Sequence, residues 1–312
     1  MHSQPYSINI SKKNMSGTME KFININGKIV GEDEAKISVF DRGFLFGDSI
    51  YDVTYSNSRS FVFLDEHLDR LWNSAKLIGM DMQVSREEII TRLMETAKAA
   101  NLDEAYARII VTRGESDLNI GTADFRQNVV IFIKPNIQYA PELYERGLHL
   151  SLVSRFRNDK RSLDPNAKSG NYLNNILALQ EAKQSGADDA IMANQAGEVT
   201  EGTTFNVWIV KDCKVMTPHP TSGLLKGITR AKVMDLCIAN NFNFEERAIS
   251  TQELIDADEI FITSATKGIM PVYKLNAKIY AETSAQRPVT EALRKCYIEL
   301  IEKHINSGVH SY

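Results

Sequence analysis

From Phe22 onward, short runs of alternating apolar and polar positions give way to longer periods. FINI and KIV flank Asn26-Gly27, a dipeptide that supplies the positive φ angles of a tight hairpin, so two antiparallel strands are expected to open the fold. Extended segments are predicted at 49–55 and 61–63. The period then changes, and Leu68, Leu71, Trp72, Ala75 and Ile78 share one helical face, with Asp65 as the expected cap. A second helix begins at a Ser85/Glu88 capping box, buries Ile89, Leu93 and Ala97, and stops at Asn101. Strand signals return at 107–112 and 129–133.

Two prolines and a loss of periodicity between 134 and 145 mark a linker. The expected division is a flexible extension at 1–20, an N-terminal α/β domain at 21–137, a linker at 138–146 and a C-terminal α/β domain at 147–312. In that second half, strand LHLSLVS leads to a helix at 174–185 closed by Gly186, and further strands are predicted at 190–193, 205–210 and 215–217. A helix at 229–240, another capped by Ser250 with Glu253, a strand at 259–263 and a terminal helix from Pro288 complete it.

Charge and cysteine usage narrow the function. Thirty-six basic against 40 acidic side chains leave a net charge of -4 and no basic stripe, which argues against nucleic acid. Cys213, Cys237 and Cys296 are too scattered for a disulfide framework or a zinc site and suit a reducing cytoplasm. No stretch approaches the length of a membrane span. No HExxH or CxxC occurs, and His67 lacks a partner at metal-binding spacing.

Several positions could carry chemistry. Gly227-Ile228-Thr229 opens a helix after the loop PHPTSGLLK, so its free backbone donors form either a plain junction or a seat for an anion. The turn Thr263-Ser264-Ala265-Thr266 leaves a strand end, where α/β proteins place ligands. Glu201, between GEVT and GTT, is either a solvated turn glutamate or a carboxylate at a strand mouth. Lys168, beside Asn171 and Tyr172, is either solvated or desolvated and nucleophilic. Arg70, at the edge of an apolar helix face, reaches inward to an anion or pairs with Asp65, Glu66 or Asp69.

Taken in order from about Phe22 onward, FDRGFLFGDSIYD, LDEHLDRL, YARIIVTRG, AKSGNYLNNILALQEA, GEVTEGTTFNVWIVKD, GLLKGITR and DADEIFITSATKGIMPV resemble the class IV pyridoxal phosphate aminotransferases. The resemblance implies a two-domain fold type IV enzyme of the α/β (α+β) class, like the D-amino acid and branched-chain amino acid aminotransferases. It implies that Lys168 carries pyridoxal 5'-phosphate as a Schiff base and shuttles the proton, with Glu201 on the pyridine nitrogen. Arg70, Gly227, Ile228 and Thr229 would hold the phosphate, together with Ser264 or Thr266, since Ala265 stands where the family has a threonine. Tyr172 would lie beside the ring.

On the substrate side the resemblance points to Phe46, Tyr51, Tyr106, Arg108 and Ala265. Tyr106 and Arg108 match the tyrosine-x-arginine pattern of branched-chain enzymes, and 117–121 resembles a loop that reaches the partner subunit. Phe46, Tyr51 and Val53 look more like D-amino acid or (R)-amine aminotransferases. Leu118-Asn119-Ile120, however, replaces the arginine-x-histidine carboxylate trap of the D-amino acid enzymes. The expectation is therefore a transaminase, a homodimer or higher homo-oligomer, moving amino groups from branched-chain L-amino acids to 2-oxoglutarate. A lyase resembling aminodeoxychorismate lyase and a phosphate-ligand binding protein without chemistry are the other readings.

Overall fold

A computed structural model describes residues 21–121 and 125–312; the extension expected at 1–20 lies outside them. Strands β1 (Phe22–Ile25), β2 (Lys28–Val30), β3 (Ser49–Asn57), β4 (Ser60–Phe61), β5 (Ala105–Glu115) and β6 (Arg126–Pro135) form a six-stranded sheet in the order β2-β1-β6-β5-β3-β4. The opening hairpin turns at Asn26 (φ 53°) and Gly27 (φ 93°), the left-handed pair that the dipeptide suits. Helices α1 (Arg42–Phe46), α2 (Leu64–Leu77) and α3 (Arg86–Ala100) accompany this sheet. The last two cover one face, burying Leu68, Leu71, Ile89 and Leu93 against Ala107, Ile109 and Ile131.

Asp65 does not cap α2. Phe63, left-handed at φ 51°, occupies the cap without a side-chain hydrogen bond, while Asp65 lies in the first turn and pairs outward with Arg86 and His310. Ser85 caps α3 by accepting from the Glu88 N–H.

The stretch 134–145 is more ordered than its composition suggests. Lys134 and Pro135 finish β6, and α4 (Pro141–Arg146) starts with proline at its first turn, where the missing N–H costs nothing. Beyond it come β7 (Leu148–Leu152), α5 (Leu173–Gln184), β8 (Asp189–Ala193), β9 (Val199–Gly202), β10 (Asn206–Lys211) and β11 (Lys214–Pro218). Then follow α6 (Ile228–Ala239), β12 (Phe244–Arg247), α7 (Thr251–Asp256), β13 (Glu259–Ser264), β14 (Gly268–Leu275), β15 (Lys278–Ile279) and α8 (Pro288–Asn306). Ser250 and Glu253 cap α7 reciprocally, as their spacing predicts.

The nine strands β7 to β15 make a second sheet, in which β9 pairs with β8 on one side and with β10 on the other. Six strands thus return on themselves, and the closing contact is Asn206 opposite Glu201. Trp208 and Phe261 stack at 5.4 Å under α6 and α8. Tyr312 crosses back to the first sheet, its hydroxyl donating to Leu102 O and bonding Ser56 Oγ, each at 2.8 Å. Among the described residues no helix is long and apolar enough to cross a membrane, and no cluster of histidine, cysteine or acidic side chains could hold a metal ion.

Candidate active site

Between the two sheets lies a cleft of about 310 Å³. Lys168 enters it from the loop before α5. This loop is sewn to the opposite body by its backbone: Tyr51 N–H donates to Lys168 O at 2.9 Å, Gly170 N–H donates to Ser49 O at 2.8 Å, and Lys168 N–H donates to Ser74 Oγ at 3.1 Å. The half-buried lysine amine lies 4.5 Å from the centre of the Tyr51 ring. Tyr172 meets the same ring edge-on at 5.7 Å, and the Arg108 guanidinium lies over it at 3.9 Å. Burial, then Tyr172, pushes the Tyr51 phenol far above its ordinary range, so it stays a neutral donor.

Glu201 is only 5% exposed. Arg157 Nε donates to one carboxylate oxygen at 2.8 Å, and the Leu225 N–H donates to the other at 3.0 Å. Arg157 is itself steadied by Asn174 Oδ1 at 3.2 Å. A buried carboxylate needs such partners, and the two bonds leave lone pairs facing the cleft.

Arg70 turns inward, away from the acids flanking it in sequence. Its Nε and Nη2 each donate at 2.8 Å to the two oxygens of Asp52 on β3, which also accepts from the ring of His67 at 2.7 Å. Burial alone would raise the Asp52 carboxyl, but Arg70 and His67 outweigh it and hold it well below the carboxylate range. The remaining guanidinium nitrogen, Nη1, is left to the cleft that Arg70 lines. Facing it, α6 starts at Gly227 with no side-chain cap, so its first N–H groups are unclaimed. A Cβ at Gly227 would run into Asn206 Oδ1, whose amide donates to Leu225 O at 2.8 Å. Glycine is required by that close approach.

Of the positions singled out in the sequence, Arg70, Tyr51, Tyr106, Arg108, Lys168, Tyr172, Glu201, Gly227, Ile228, Thr229, Ser264, Ala265 and Thr266 all line this cleft. Phe46 does not: it ends α1, 39% exposed, with Arg42 5.2 Å over its ring. Missing from the sequence reading are Arg157, Leu225, Tyr139 and Lys267, which line the cleft, and Asp52, which orients Arg70. Arg157 pairs across 44 residues, and Tyr139 falls in the stretch read as a linker. Lys267 adjoins the Ser264-Ala265-Thr266 turn, and a cation in a ligand-facing turn is a usable sequence signal.

The family model described as "Amino-transferase class IV" matches residues 49–275. The chain belongs to that family. This class IV aminotransferase is 37% identical over 257 residues to a "Putative branched-chain-amino-acid aminotransferase" of Methanocaldococcus jannaschii, covering 82% of this chain and 88% of the relative. It is 34% identical over 267 residues to a D-alanine aminotransferase of Bacillus licheniformis, covering 85% and 92%. The solved branched-chain amino acid aminotransferase of Thermobaculum terrenum, in its PLP form, superposes with a TM-score of 0.82 at 26% identity, covering 92% of this chain and 95% of that one. A branched-chain aminotransferase from Thermoproteus uzoniensis with norvaline gives 0.83 at 27% identity, covering 92% and 98%.

The fold is therefore fold type IV, the chemistry is transamination between amino and oxo acids, and the cofactor is pyridoxal phosphate. The residues present fit that cofactor. An uncapped helix start beside a spare arginine donor suits a phosphate, and a buried, oriented carboxylate shares the cleft with a half-buried amine.

Proposed function

We propose that the enzyme transfers the amino group of branched-chain L-amino acids to 2-oxoglutarate by a ping-pong cycle. The observation that carries this is the convergence of Lys168, Glu201, Arg70 and the start of α6 on one cleft that also holds Tyr106 and Arg108. When bound, pyridoxal phosphate supplies a carbonyl that condenses with amines and a ring that accepts the electrons released at the substrate α-carbon. Lys168 would hold it covalently through Nζ and, once displaced, carry the proton from the substrate α-carbon. Glu201, kept in place by Arg157 and Leu225, would hold the proton on the ring nitrogen. Arg70, Ile228 and Thr229 would bind the phosphate, with Ser264 or Thr266 beside them. Tyr172 would flank the ring, and Tyr106 and Arg108 would take a substrate carboxylate.

The proposed assembly is a homodimer of two-domain subunits divided near 138–146. Its support is an apolar face in which Phe40, Phe44 and Phe46 stand exposed beside Leu118 and Ile120, whose loop Arg42 holds through Asn119 O and Ile120 O. A cytoplasmic setting suits three free cysteines.

A half-reaction screen tests the substrate. Loss of bound-cofactor absorbance with L-leucine, L-valine or L-isoleucine, and none with D-alanine, is expected; the reverse overturns the assignment. The D-amino acid reading draws support from Tyr51 and Val53, both on the cleft wall, and from the D-alanine aminotransferase relative.

A further inference from the structure

The charges lining the cleft do not balance. Five cations line it: Arg70, Arg108, Arg157, Lys168 and Lys267. Arg70 has Asp52 and Arg157 has Glu201. The other acid on the wall, Asp164, accepts from the backbone and side-chain nitrogens of Asn166 at 2.9 and 3.2 Å. With Lys168 committed to the cofactor, Arg108 and Lys267 remain, and neither has a carboxylate partner among the described residues. The Arg108 Nε is buried without any hydrogen-bond partner.

Lys267 is half-buried and firmly mounted. It sits in the turn between β13 and β14, its N–H donating to Ser264 Oγ at 3.3 Å and its carbonyl accepting from the Tyr144 hydroxyl at 3.1 Å. The left-handed Gly268 (φ 59°) follows and makes the turn possible. Its amine lies 5.6 Å from the ring centre of Tyr139, another cleft residue. Asp189 feels the charge of Lys267, but its carboxylate is engaged by the Thr203 hydroxyl and the Ala190 N–H, and no ion pair joins the two. Two cations that face aromatic rings and no carboxylate, in one small cleft, favour a ligand that brings two anionic groups, since leaving a charge desolvated without a counter-charge is costly.

We infer that Lys267 is a second carboxylate anchor, which with Arg108 holds the two carboxylates of the 2-oxoglutarate proposed above and of its amino acid. This rests on the reading of Arg108 given above. Arg108 takes one carboxylate and Lys267 the other, while a monocarboxylic substrate engages Arg108 alone. Both kinds of substrate then use one cleft, and discrimination between them lies at the β13–β14 turn.

Glutarate and pentanoate, five-carbon acids differing by one carboxylate, are the probes, with binding to the cofactor-loaded enzyme followed by the perturbation of cofactor absorbance. Lys267→Met is expected to weaken glutarate by about tenfold or more and to leave pentanoate within about twofold. Lys267→Arg should restore glutarate. Equal weakening of both acids would mean that Lys267 serves the carboxylate they share, and no change in either would reduce it to a turn residue; both results overturn the inference. Borohydride trapping separates this from the broader reading. Cofactor fixed at Lys168 with indifferent glutarate binding sinks the second anchor alone, whereas no cofactor at Lys168 sinks the proposed site itself.

Discussion

Tyr51 and Lys168 are joined twice: the tyrosine N–H donates to the lysine carbonyl at 2.9 Å, and the lysine amine stands 4.5 Å from the tyrosine ring. The backbone bond sets where the side chain starts, and the ring limits where it can go. Substituting the side chain leaves the backbone bond in place.

For that reason we expect Lys168→Ala to fold normally, with circular dichroism and thermal unfolding close to wild type, while transamination falls by at least the 10²- to 10⁴-fold, roughly, that a positioned acid/base contributes. Borohydride treatment followed by peptide mapping should find the cofactor at Lys168 in the wild type and no adduct there in the variant. Turnover at the wild-type rate would remove Lys168 from the mechanism.

Arg157→Ala strips the buried Glu201 of its ion-pair partner. Breaking such a pair costs about 3 kcal/mol, so the urea midpoint should drop, and the Leu225 N–H alone remains to orient the carboxylate. Arg157→Lys should recover part of the loss, because an ammonium restores the charge without the planar fork. An unchanged midpoint in Arg157→Ala would show that Glu201 does not depend on this pair.

Asp52 gives the enzyme a defined acid sensitivity. Its depressed pKa means that its contribution is complete above its ordinary value of 3.8 and is lost as the pH falls below it toward the native value. His67 acts in the same direction at higher pH. Burial first, with Arg70 and Lys168, holds its ring below 6.5, so acid protonates the unfolded chain preferentially and erodes stability beneath that value. Asp52→Asn should lose about 3 kcal/mol at pH 7, with a gap to wild type that narrows below pH ~4. Urea titrations at stepped pH would reveal it, and a gap constant with pH would contradict the assignment.

Gly227→Ala forces a methyl group against Asn206 Oδ1 and disturbs the amide that holds Leu225 O. Overpacking of this kind costs about 1–3 kcal/mol, and here the start of α6 has to shift. Affinity for pyridoxal phosphate, measured by reconstitution of the apoenzyme, should fall by about tenfold or more. Unaltered affinity would place the phosphate elsewhere.

Local chemistry was legible and distant pairing was not. Asn26-Gly27 and the Ser250/Glu253 box are short-range devices whose outcome the neighbouring residues decide. The Asp65 cap failed because Phe63 takes a left-handed turn stabilised from outside the segment, its N–H donating to His304 on α8 at 3.1 Å. The sequence offers Arg70 an inward anion or Asp65, Glu66 and Asp69, yet its partner is Asp52, 18 residues upstream on a strand. Arg157 carries no local signal, because its partner is 44 residues away. Phe46, grouped with the substrate positions by resemblance, ends a five-residue helix and does not line the cleft of its own chain.

The seam between Ser49–Tyr51 and Lys168–Gly170 also governs how the cleft could breathe. Any rocking of one sheet against the other that preserves these backbone bonds has its fulcrum at the lysine peptide itself. The lysine peptide then barely shifts, so entry and departure of reactants need not disturb the atom on which the chemistry turns.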